Sequence, residues 1–335
     1  MPGVQSLTKR HLSAAELDAL LREQVGVGCR LEAELTDGEF NSAYRVRLED
    51  GRPAVLKLAP PPGAAVLRYE RGIMATEAMV YRRLADLPGG HVPGPELLHA
   101  GEDVLVLSVL DGTPWNKAGD RIPGAAVPGL RRELGAITAR LNTLTPPDGR
   151  FGYPAPASGL SAPDWHSAFG AMVEALLDDA GHWRSPLGIA PAEVRTLVAE
   201  GRDALAEVTE PRLVHFDLWQ GNVFVRLPAT AGGRHTVSGI IDHERAFWGD
   251  PAAELVSLNL GGEAGPDDPL VAGYTAAGGR FAFGEPGFHH RLALYRLYLG
   301  LLLVIECSPR GFGPERLAHC QGFLADSVTA LRALG

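Results

Sequence analysis

The sequence predicts an α+β protein with two lobes: a small, strand-rich lobe over residues 1–110 and a larger, mainly helical lobe over residues 111–335. Two observations carry this prediction. The first third of the chain contains short runs of apolar residues separated by turn residues, which is typical of antiparallel strands. After Asp111-Gly112 the apolar residues recur at helical spacing over longer segments. We therefore expect the lobes to meet near residues 110–115.

The first lobe is predicted from a helix, strands and a hairpin turn in succession. Ser13 and Glu16 have the spacing of a capping box, so a helix should begin there and end at Gly26. Asp50-Gly51 is a strong hairpin signal between two apolar runs. The expected strands are residues 29–35, 43–48, 54–58 and 104–109, with a helix over residues 69–84 between the last two.

The second lobe should consist of helices with one group of strands among them. Residues 146–163 are rich in Pro and Gly and predict a loop. The expected helices are residues 130–144, 167–178, 191–208 and most of the chain after residue 254. The expected strands are residues 212–216, 223–227 and 237–242.

Composition excludes several classes of protein. The 335 residues include 31 Lys+Arg and 40 Asp+Glu, a net charge of −9, which argues against a nucleic-acid-binding protein. Cys29, Cys307 and Cys320 form neither a disulfide framework nor a zinc pattern. They predict free thiols and a cytoplasmic location. No apolar leader follows Met1, and the apolar run at residues 297–305 is too short to span a membrane, so we predict a buried helix and no membrane contact.

One segment concentrates groups suited to phosphate chemistry. His215 and Asp217 follow an apolar run, and Asn222 comes five residues after Asp217, at the start of the next run. Asp242 ends a third apolar run. One or two such oxygen ligands, together with substrate phosphates, are what Mg²⁺ uses in kinases, and a second carboxylate can accept the proton of an attacking hydroxyl.

The order of these residues resembles the aminoglycoside phosphotransferase family of small-molecule kinases, whose fold is similar to that of protein kinases. The motif runs His215-x-Asp217-x-x-x-x-Asn222, then Ile241-Asp242 and Gly249-Asp250-Pro251. Lys57 ends an apolar run as the family's nucleotide-binding lysine does. The resemblance covers nearly the whole chain and implies transfer of the γ-phosphoryl group of ATP or GTP to a hydroxyl of a small molecule.

The resemblance also implies a role for each matched residue. Asp217 would accept the hydroxyl proton, and Asn222 and Asp242 would hold Mg²⁺. Lys57 would contact the nucleotide phosphates, and Glu77 would hold Lys57, with Glu70 as the rival partner. Asn41 and Ser42 would either cover the phosphates or only shape a hairpin. His215 and Asp250 would be structural residues near the site.

Three departures from protein kinases accompany the resemblance. The loop at residues 36–42 has a single glycine, no Phe-Gly follows Asp242, and no activation-loop element is evident. The last of these argues against a protein substrate. Within the family itself, Asn142 stands where a histidine is common.

The acceptor is expected to be an antibiotic or a related metabolite, with resistance or self-protection as the biological role. A polycationic acceptor would need acidic contacts. Glu306 lies in an apolar run and should be paired, for example with Arg296 or His319. Trp219 and Trp248 are expected to pack in the core, with stacking on substrate as the alternative. The acidic candidates for the acceptor pocket are Glu244, Glu263, Asp267, Asp268 and Glu306.

Two other functions compete with this interpretation. A kinase-shaped protein that binds nucleotide without catalysis would not need Lys57, Asp217, Asn222 and Asp242 together. A metal-dependent hydrolase could use His215, Asp217 and Asp242, but the sequence has no histidine cluster at zinc spacing. The sequence leaves the choice between a monomer and a homodimer open.

Overall fold

The first lobe is an antiparallel sheet of five strands in the order β1-β2-β3-β5-β4. The computed structural model describes residues 6–87, 92–230, 232–258 and 264–334. Helix α1 (Ala14–Val25) precedes the sheet and α2 (Ile73–Ala85) is inserted between β3 and β4. The strands are β1 Cys29–Leu35, β2 Ser42–Leu48, β3 Pro53–Leu58, β4 Leu97–Ala100 and β5 Val104–Ser108.

Local sequence signals explain most of these boundaries. Ser13 caps α1 in a complete capping box with Glu16, and Gly26 ends the helix in the left-handed conformation, with φ 78°. Leu17 and Leu21 of α1 pack on one face of the sheet. The hairpin turn at Asp50-Gly51 joins β2 to β3, as predicted. These contacts fix the position of β3, which carries Lys57 next to its last residue.

Two predictions for this lobe differ from the structure. The helix predicted from residue 69 begins at Ile73, because Gly72 takes φ 78° and separates α2 from a short 3-10 turn over Arg68–Glu70. Strand β4 was not predicted. It is an edge strand whose residues are all half-buried, so it lacks the alternation that marks a one-sided strand.

The second lobe contains nine described helices and two small sheets, so the predicted α+β class with a strand-rich and a helical lobe is confirmed. The sheets have the orders β11-β10-β6 and β8-β7-β12-β9. The helices are α3 Trp115–Ala118, α4 Val127–Leu141, α5 Trp165–Trp183, α6 Pro191–Glu200, α7 Arg202–Ala206, α8 Glu254–Leu258, α9 Pro269–Ala276, α10 Pro286–Arg310 and α11 Pro314–Arg332. The strands are β6 Thr113–Pro114, β7 Phe151–Gly152, β8 Ser161–Ala162, β9 Arg212–Val214, β10 Val223–Arg226, β11 Thr236–Ile240 and β12 Phe247–Gly249.

The strand group of this lobe is arranged differently from a simple succession of hairpins. β10 pairs with β11, but β9 pairs with β12 in the other sheet. The segment from His215 to Asn222 therefore crosses from one sheet to the other. The helix predicted over residues 191–208 is also divided, since α6 ends at Glu200 and α7 begins at Arg202.

Helix α10 forms the centre of the second lobe. It includes the apolar run at residues 297–305 that the sequence predicted to be a buried helix. The helix is long and apolar enough to span a membrane, with a mean hydropathy of 1.5 over 18 residues. However, 78% of that stretch is buried inside the fold. Tyr295 and Tyr298 of this helix contact an aromatic cluster formed with Trp165 and Phe169.

Candidate active site

Asp217 lies on the loop that connects the two sheets of the second lobe. The loop leaves β9 through Phe216, a bulky residue with φ 60°, which is a rare conformation outside glycine. Asn222 at the far end of the loop donates its Nδ2 to the main-chain oxygen of Asp217 at 2.9 Å and to its carboxylate Oδ2 at 3.1 Å. The loop thus presents a carboxylate whose orientation an amide fixes.

The backbone of this loop is held by the start of α8. Glu254, which is fully buried, accepts hydrogen bonds from the backbone N–H of His215 at 2.6 Å and of Phe216 at 3.3 Å. Ser257, one turn later, accepts from the N–H of Leu218 at 3.2 Å. Burial raises the pKa of Glu254 to about 7, although the two backbone donors oppose that rise. Sequence reasoning missed Glu254.

His215 holds the loop in place through both nitrogens of its imidazole ring. Its Nδ1 accepts from the N–H of Asp217 at 3.2 Å, which leaves the proton on Nε2 to be donated to the carbonyl of Ile241 at 3.0 Å. The imidazole is buried, and this burial lowers its pKa to about 4. A neutral imidazole with both nitrogens engaged suits the structural role that the sequence predicted.

Lys57 lies at the centre of a cluster of acids. Its Nζ is 2.6 Å from Oε2 of Glu77, 2.6 Å from Oδ1 of Asp242 and 3.5 Å from Oε2 of Glu244. Glu77 comes from α2 and the other two acids follow β11, so both lobes contribute. The structure brings Lys57 to Glu77, as the sequence predicted, and not to Glu70.

The acids of this cluster differ in their affinity for protons. For Asp242, burial opposes ionisation but the Lys57 ammonium outweighs it and holds the pKa below its usual value. Burial raises the pKa of Glu77 against the pull of Lys57. Burial and the negative charge of Asp242 raise the pKa of Glu244 to about 8. Asp242 is therefore the acid of the cluster that stays ionised most readily.

Asp217 has a second charged neighbour, Arg245. The Nη1 of Arg245 is 3.4 Å from Oδ1 of Asp217, and its Nη2 donates to both carboxylate oxygens of Glu306 at 2.9 and 3.0 Å. Burial raises the pKa of Asp217 to about 7. Arg245 opposes this rise, and the charges of Asp242 and Glu306 add to it. A carboxylate with this pKa can accept a proton near neutral pH.

Glu306 belongs to a buried ionic network that reaches the first lobe. Arg310, one turn along α10, pairs with Glu306 at 2.6 Å and with Glu70 at 2.6 Å. Tyr69 donates its hydroxyl to Glu306 at 2.5 Å. The expectation that Arg296 or His319 would pair with Glu306 was wrong, because Arg245 and Arg310 take those positions.

The loop between β1 and β2, residues 36–41, is tied down by side chains. Asn41 donates its Nδ2 to Oε2 of Glu244 at 2.5 Å, and both residues are buried. Ser42, the first residue of β2, accepts from the backbone N–H of Arg10 at 2.7 Å. The Nδ2 of Asn41 and the hydroxyl of Ser42 therefore hold this loop in place, and the backbone amides of the loop are the groups suited to a phosphate.

Other predicted site residues have their own partners in the structure. Asp250 accepts from the N–H of Ala252 at 3.0 Å, the Nε of Arg291 at 2.9 Å and the hydroxyl of Tyr295 at 2.9 Å, which are structural contacts. Asp268 caps α9 and pairs with Arg131 at 2.6 Å. Asp267 is exposed, and Glu263 lies outside the described residues.

The two tryptophans near the loop have different surroundings. Trp248 is buried in β12, as the sequence predicted. Trp219, two residues after Asp217, is 38% exposed, so the prediction that it packs in the core was wrong. The reason is that the turn from Trp219 to Asn222, closed by a hydrogen bond of 2.9 Å between their backbones, projects away from the core.

The donor set of this site fits a magnesium ion. Within the described residues, single carboxylate oxygens of Glu77, Asp242 and Glu244 lie within 4.8 Å of one another. In addition, Oε1 of Glu77 and Oδ1 of Asn41 are buried without a hydrogen-bond partner. Hard oxygen donors of this kind suit Mg²⁺, and no soft ligand is among them.

Arg245 and Glu254 are the site residues that sequence reasoning overlooked. Arg245 lies three residues after Asp242, and Glu254 lies four residues after Asp250. Glu254 is a charged residue inside an otherwise apolar stretch, and a buried charge is kept only with a partner, so that signal was available for it. Arg245 directly follows the polar residues Asp242, His243 and Glu244, and no such signal marks it.

Solved structures with a similar fold include small-molecule kinases. A candidate fructosamine-3-kinase from Thermobifida fusca is 21% identical over 96% of this chain and all of its own, with a TM-score of 0.66. The aminoglycoside phosphotransferase APH(4)-Ia, in a ternary complex with AMP-PNP and hygromycin B, is 21% identical over 94% of this chain and 98% of its own, with a TM-score of 0.58. The macrolide 2'-phosphotransferase MphH from Brachybacterium faecium is 18% identical over 93% and 98%, with a TM-score of 0.55. The kinase-like fold expected from the sequence is thus confirmed.

The comparison with protein families assigns the chain directly. The pattern described as "Phosphotransferase enzyme family" matches residues 32–290. This match includes every strand of the first lobe except the start of β1, together with the whole segment from Asp217 to Asp242. The chain therefore belongs to the phosphotransferase enzyme family.

Proposed function

We propose that this protein transfers the γ-phosphoryl group of ATP or GTP to a hydroxyl of a small molecule, with Asp217 as the catalytic base. The observation that carries the proposal is the contact of Lys57 with both Glu77 and Asp242, on the same side of the fold as the Asp217–Asn222 pair. A lysine held by acids from both lobes can bind nucleotide phosphates. A carboxylate with a pKa of about 7 can take up the proton of the acceptor hydroxyl.

The proposed reaction is a single displacement at the γ-phosphorus. The acceptor oxygen attacks the phosphorus while its proton passes to the carboxylate of Asp217. The bond from the phosphorus to the bridging oxygen breaks, and the nucleoside diphosphate leaves. Asn222 keeps the Asp217 carboxylate oriented through the hydrogen bond of 3.1 Å. Positioning and neutralisation of charge supply most of the acceleration in such reactions.

Lys57 would contact the α- and β-phosphates, and Glu77 would keep it in place. Asp242 and Asn222 would hold Mg²⁺, with Glu244 as a further oxygen donor, and the ion would supply neutralisation of the phosphate charge. For Lys57 to reach the phosphates, its present contact with Asp242 must be exchanged for one with the nucleotide. Glu77 can remain its partner, since it lies on the α2 side of the lysine.

The acceptor class follows from the family and from the charges around Asp217. An antibiotic is the first class to try, since hygromycin B, streptomycin and gentamicin stand in the complexes of similar structures. However, Glu306 and Asp268, which the sequence offered as contacts for a polycation, both pair with arginines. Acceptors with less positive charge, such as macrolides and sugar derivatives, therefore belong in the same screen.

The test is a turnover screen read by mass. Purified protein with Mg-ATP or Mg-GTP is incubated with aminoglycosides, macrolides, nucleoside antibiotics, amino alcohols and fructosamines. A phosphorylated acceptor gains ~80 Da, the mass of the transferred phosphoryl group. We expect one class to be modified, and Asp217→Asn to abolish the product.

The other outcomes separate the competing functions. Binding of Mg-ATP without a product from any acceptor would favour a non-catalytic nucleotide-binding protein. Release of phosphate from phosphate esters without nucleotide would favour a metal-dependent hydrolase. Absence of nucleotide binding would overturn the kinase proposal itself.

A further inference from the structure

An N-terminal strap, residues 6–12, passes alongside the loop that would cover the nucleotide phosphates. Thr8 is its central residue and is only 1% exposed. Its hydroxyl donates to the carbonyl of Phe40 at 3.1 Å and lies 3.4 Å from that of Glu39. Ser6 Oγ lies 2.9 Å from the same hydroxyl. Because the Thr8 proton points to Phe40, Ser6 is the donor in that pair.

The strap follows the same stretch of chain beyond the loop. The N–H of Arg10 donates to Oγ of Ser42 at 2.7 Å, and the N–H of Leu12 donates to the hydroxyl of Tyr44 at 3.0 Å. The side chain of Arg10 pairs with Asp103 at 2.9 Å, next to β5. These contacts join the strap to the first lobe along residues 39–44.

The strap also reaches the second lobe. The N–H of Leu7 lies 3.4 Å from the carbonyl of Arg310, the last residue of α10. The guanidinium of Arg310 stands 5.6 Å from the ring centroid of Phe40, a cation–π distance. Phe40 therefore lies between the strap and Arg310, and its loop is fixed from both sides.

We propose that Thr8 is a positioning residue for nucleotide binding, which sets the place of the loop at residues 36–41 through the carbonyl of Phe40. This inference rests on the proposed function. A loop with one glycine cannot wrap a phosphate by backbone freedom alone, so its amides must be placed by outside contacts. Asn41 anchors one end of the loop on Glu244, and Thr8 anchors the adjacent residue on the strap.

The test compares Thr8→Val with Thr8→Ser. Valine keeps the shape of threonine but loses the hydroxyl, whereas serine keeps the hydroxyl. Thr196→Val is the matched control, because the Thr196 side chain is exposed and its hydroxyl donates within its own helix, to the carbonyl of Ala192 at 3.1 Å. Two quantities are measured: the dissociation constant of Mg-ATP by calorimetry, and deuterium uptake in a peptide covering residues 36–42 without nucleotide.

We expect Thr8→Val to weaken Mg-ATP binding about fivefold, the factor that one net hydrogen bond gives. Deuterium uptake in the loop peptide should rise while uptake in a peptide from α5 stays unchanged. Thr8→Ser and Thr196→Val should match the wild type in both measurements. The rescue by serine separates positioning from a general loss of packing.

The outcomes of this test distinguish the two proposals. If the wild type binds Mg-ATP and Thr8→Val binds it equally well, the positioning role is overturned and the proposed function stands. Equal weakening in Thr8→Val and Thr8→Ser would also overturn it, since the hydroxyl would then be irrelevant. If the wild type binds no nucleotide, the proposed function fails and this inference fails with it.

Discussion

Lys57 is a single positive charge in contact with three carboxylates. Its side chain is 11% exposed and has Glu77, Asp242 and Glu244 within 3.5 Å. Removing one partner of a buried ion pair destabilises a protein more than replacing both partners by apolar residues, because the remaining charge keeps its desolvation penalty. The lysine is therefore required for stability as well as for the proposed contact with phosphates.

We predict that Lys57→Met lowers the free energy of unfolding by about 2–4 kcal/mol, since three acids lose their counter-ion. Urea unfolding measures the change. Lys117→Met is the control, because the Lys117 side chain is 51% exposed and pairs with the 68% exposed Asp37. Such a surface pair contributes ~0.5 kcal/mol. Equal losses in the two variants would contradict the special position of Lys57.

Asp217 can be tested separately from stability. Asp217→Asn keeps the shape of the side chain and an oxygen for Asn222 but cannot accept a proton. Turnover with the acceptor found in the screen should fall at least about 100-fold. The dissociation constant of Mg-ATP should stay within about twofold of the wild type, because Asp217 is assigned to the acceptor side. Retained turnover in this variant would remove Asp217 from the role of base.

At the scale of elements, the loop from β9 to β10 depends on a helix that follows it by some forty residues. The first turn of α8 supplies Glu254 and Ser257, which accept three backbone N–H groups of residues 215–218. Phe216 takes φ 60° in this loop while its ring packs against Phe247 and Tyr298, with centroids 5.2 and 5.7 Å away. The left-handed backbone persists because these neighbours determine it.

The pKa of Glu254, raised from 4.5 to about 7, predicts a pH-dependent contribution to stability. Between these two pH values the unfolded chain releases the proton and the folded protein keeps it. Stability is therefore greatest below pH 4.5 and is lost as pH rises through 7, by about 3 kcal/mol in total. Glu254→Gln has no such titration, so its stability relative to the wild type should increase by this amount between pH 4.5 and 8.

Urea unfolding of both proteins at pH 5, 6, 7 and 8 measures this difference. Other titrating groups are common to the two proteins and cancel in the comparison. A difference that stays constant with pH would show that Glu254 does not carry a raised pKa.

The elements show what sequence can and cannot predict. Capping residues, turn residues and apolar periodicity act within a few positions, so α1 and β1 to β3 were predicted within a residue or two. The pairing of Lys57 with Glu77 was expected from the resemblance to the aminoglycoside phosphotransferase family, with Glu70 as the rival partner. The pairing of β9 with β12 depends on a partner more than thirty residues along the chain, which no local signal encodes. Strand β4 pairs with its neighbour β5 but was missed, because its half-buried residues show no alternation.

The same distinction applies to the ionic contacts. Arg310 follows Glu306 by four residues, which places them on one helix face, so this pair was readable from the sequence. Arg245 and Glu70 join the network only through the tertiary fold, from positions 61 and 236 residues away from Glu306. The burial of a charge predicts that it has a partner, but the sequence does not identify a partner that lies far along the chain.

At the scale of the whole molecule, Arg310 links the two lobes. It is 2% exposed and pairs with Glu306 in α10 and with Glu70 in the segment before α2. Its guanidinium also stands over Phe40 of the loop between β1 and β2. One side chain thus contacts the helix core of the second lobe and two segments of the first.

We predict that Arg310→Met lowers the free energy of unfolding by about 3 kcal/mol, because Glu70 loses its arginine and Glu306 loses one of its two arginines. Arg316→Met is the control, since Arg316 is 48% exposed and pairs with the exposed Glu39 at 3.4 Å. It should change stability by less than ~0.5 kcal/mol. Urea unfolding followed by tryptophan fluorescence measures both variants.

A second substitution shows whether the loss comes from an unpaired charge or from lost packing. Glu70→Gln in the Arg310→Met background removes the carboxylate that was left without its counter-ion. If the unpaired charge causes the loss, the double variant should be more stable than Arg310→Met alone, although Glu70→Gln by itself destabilises the wild type. If packing causes it, the two substitutions should add. Recovery in the double variant would establish that the lobes of this phosphotransferase are joined by charge pairing across their interface, and additive losses would contradict it.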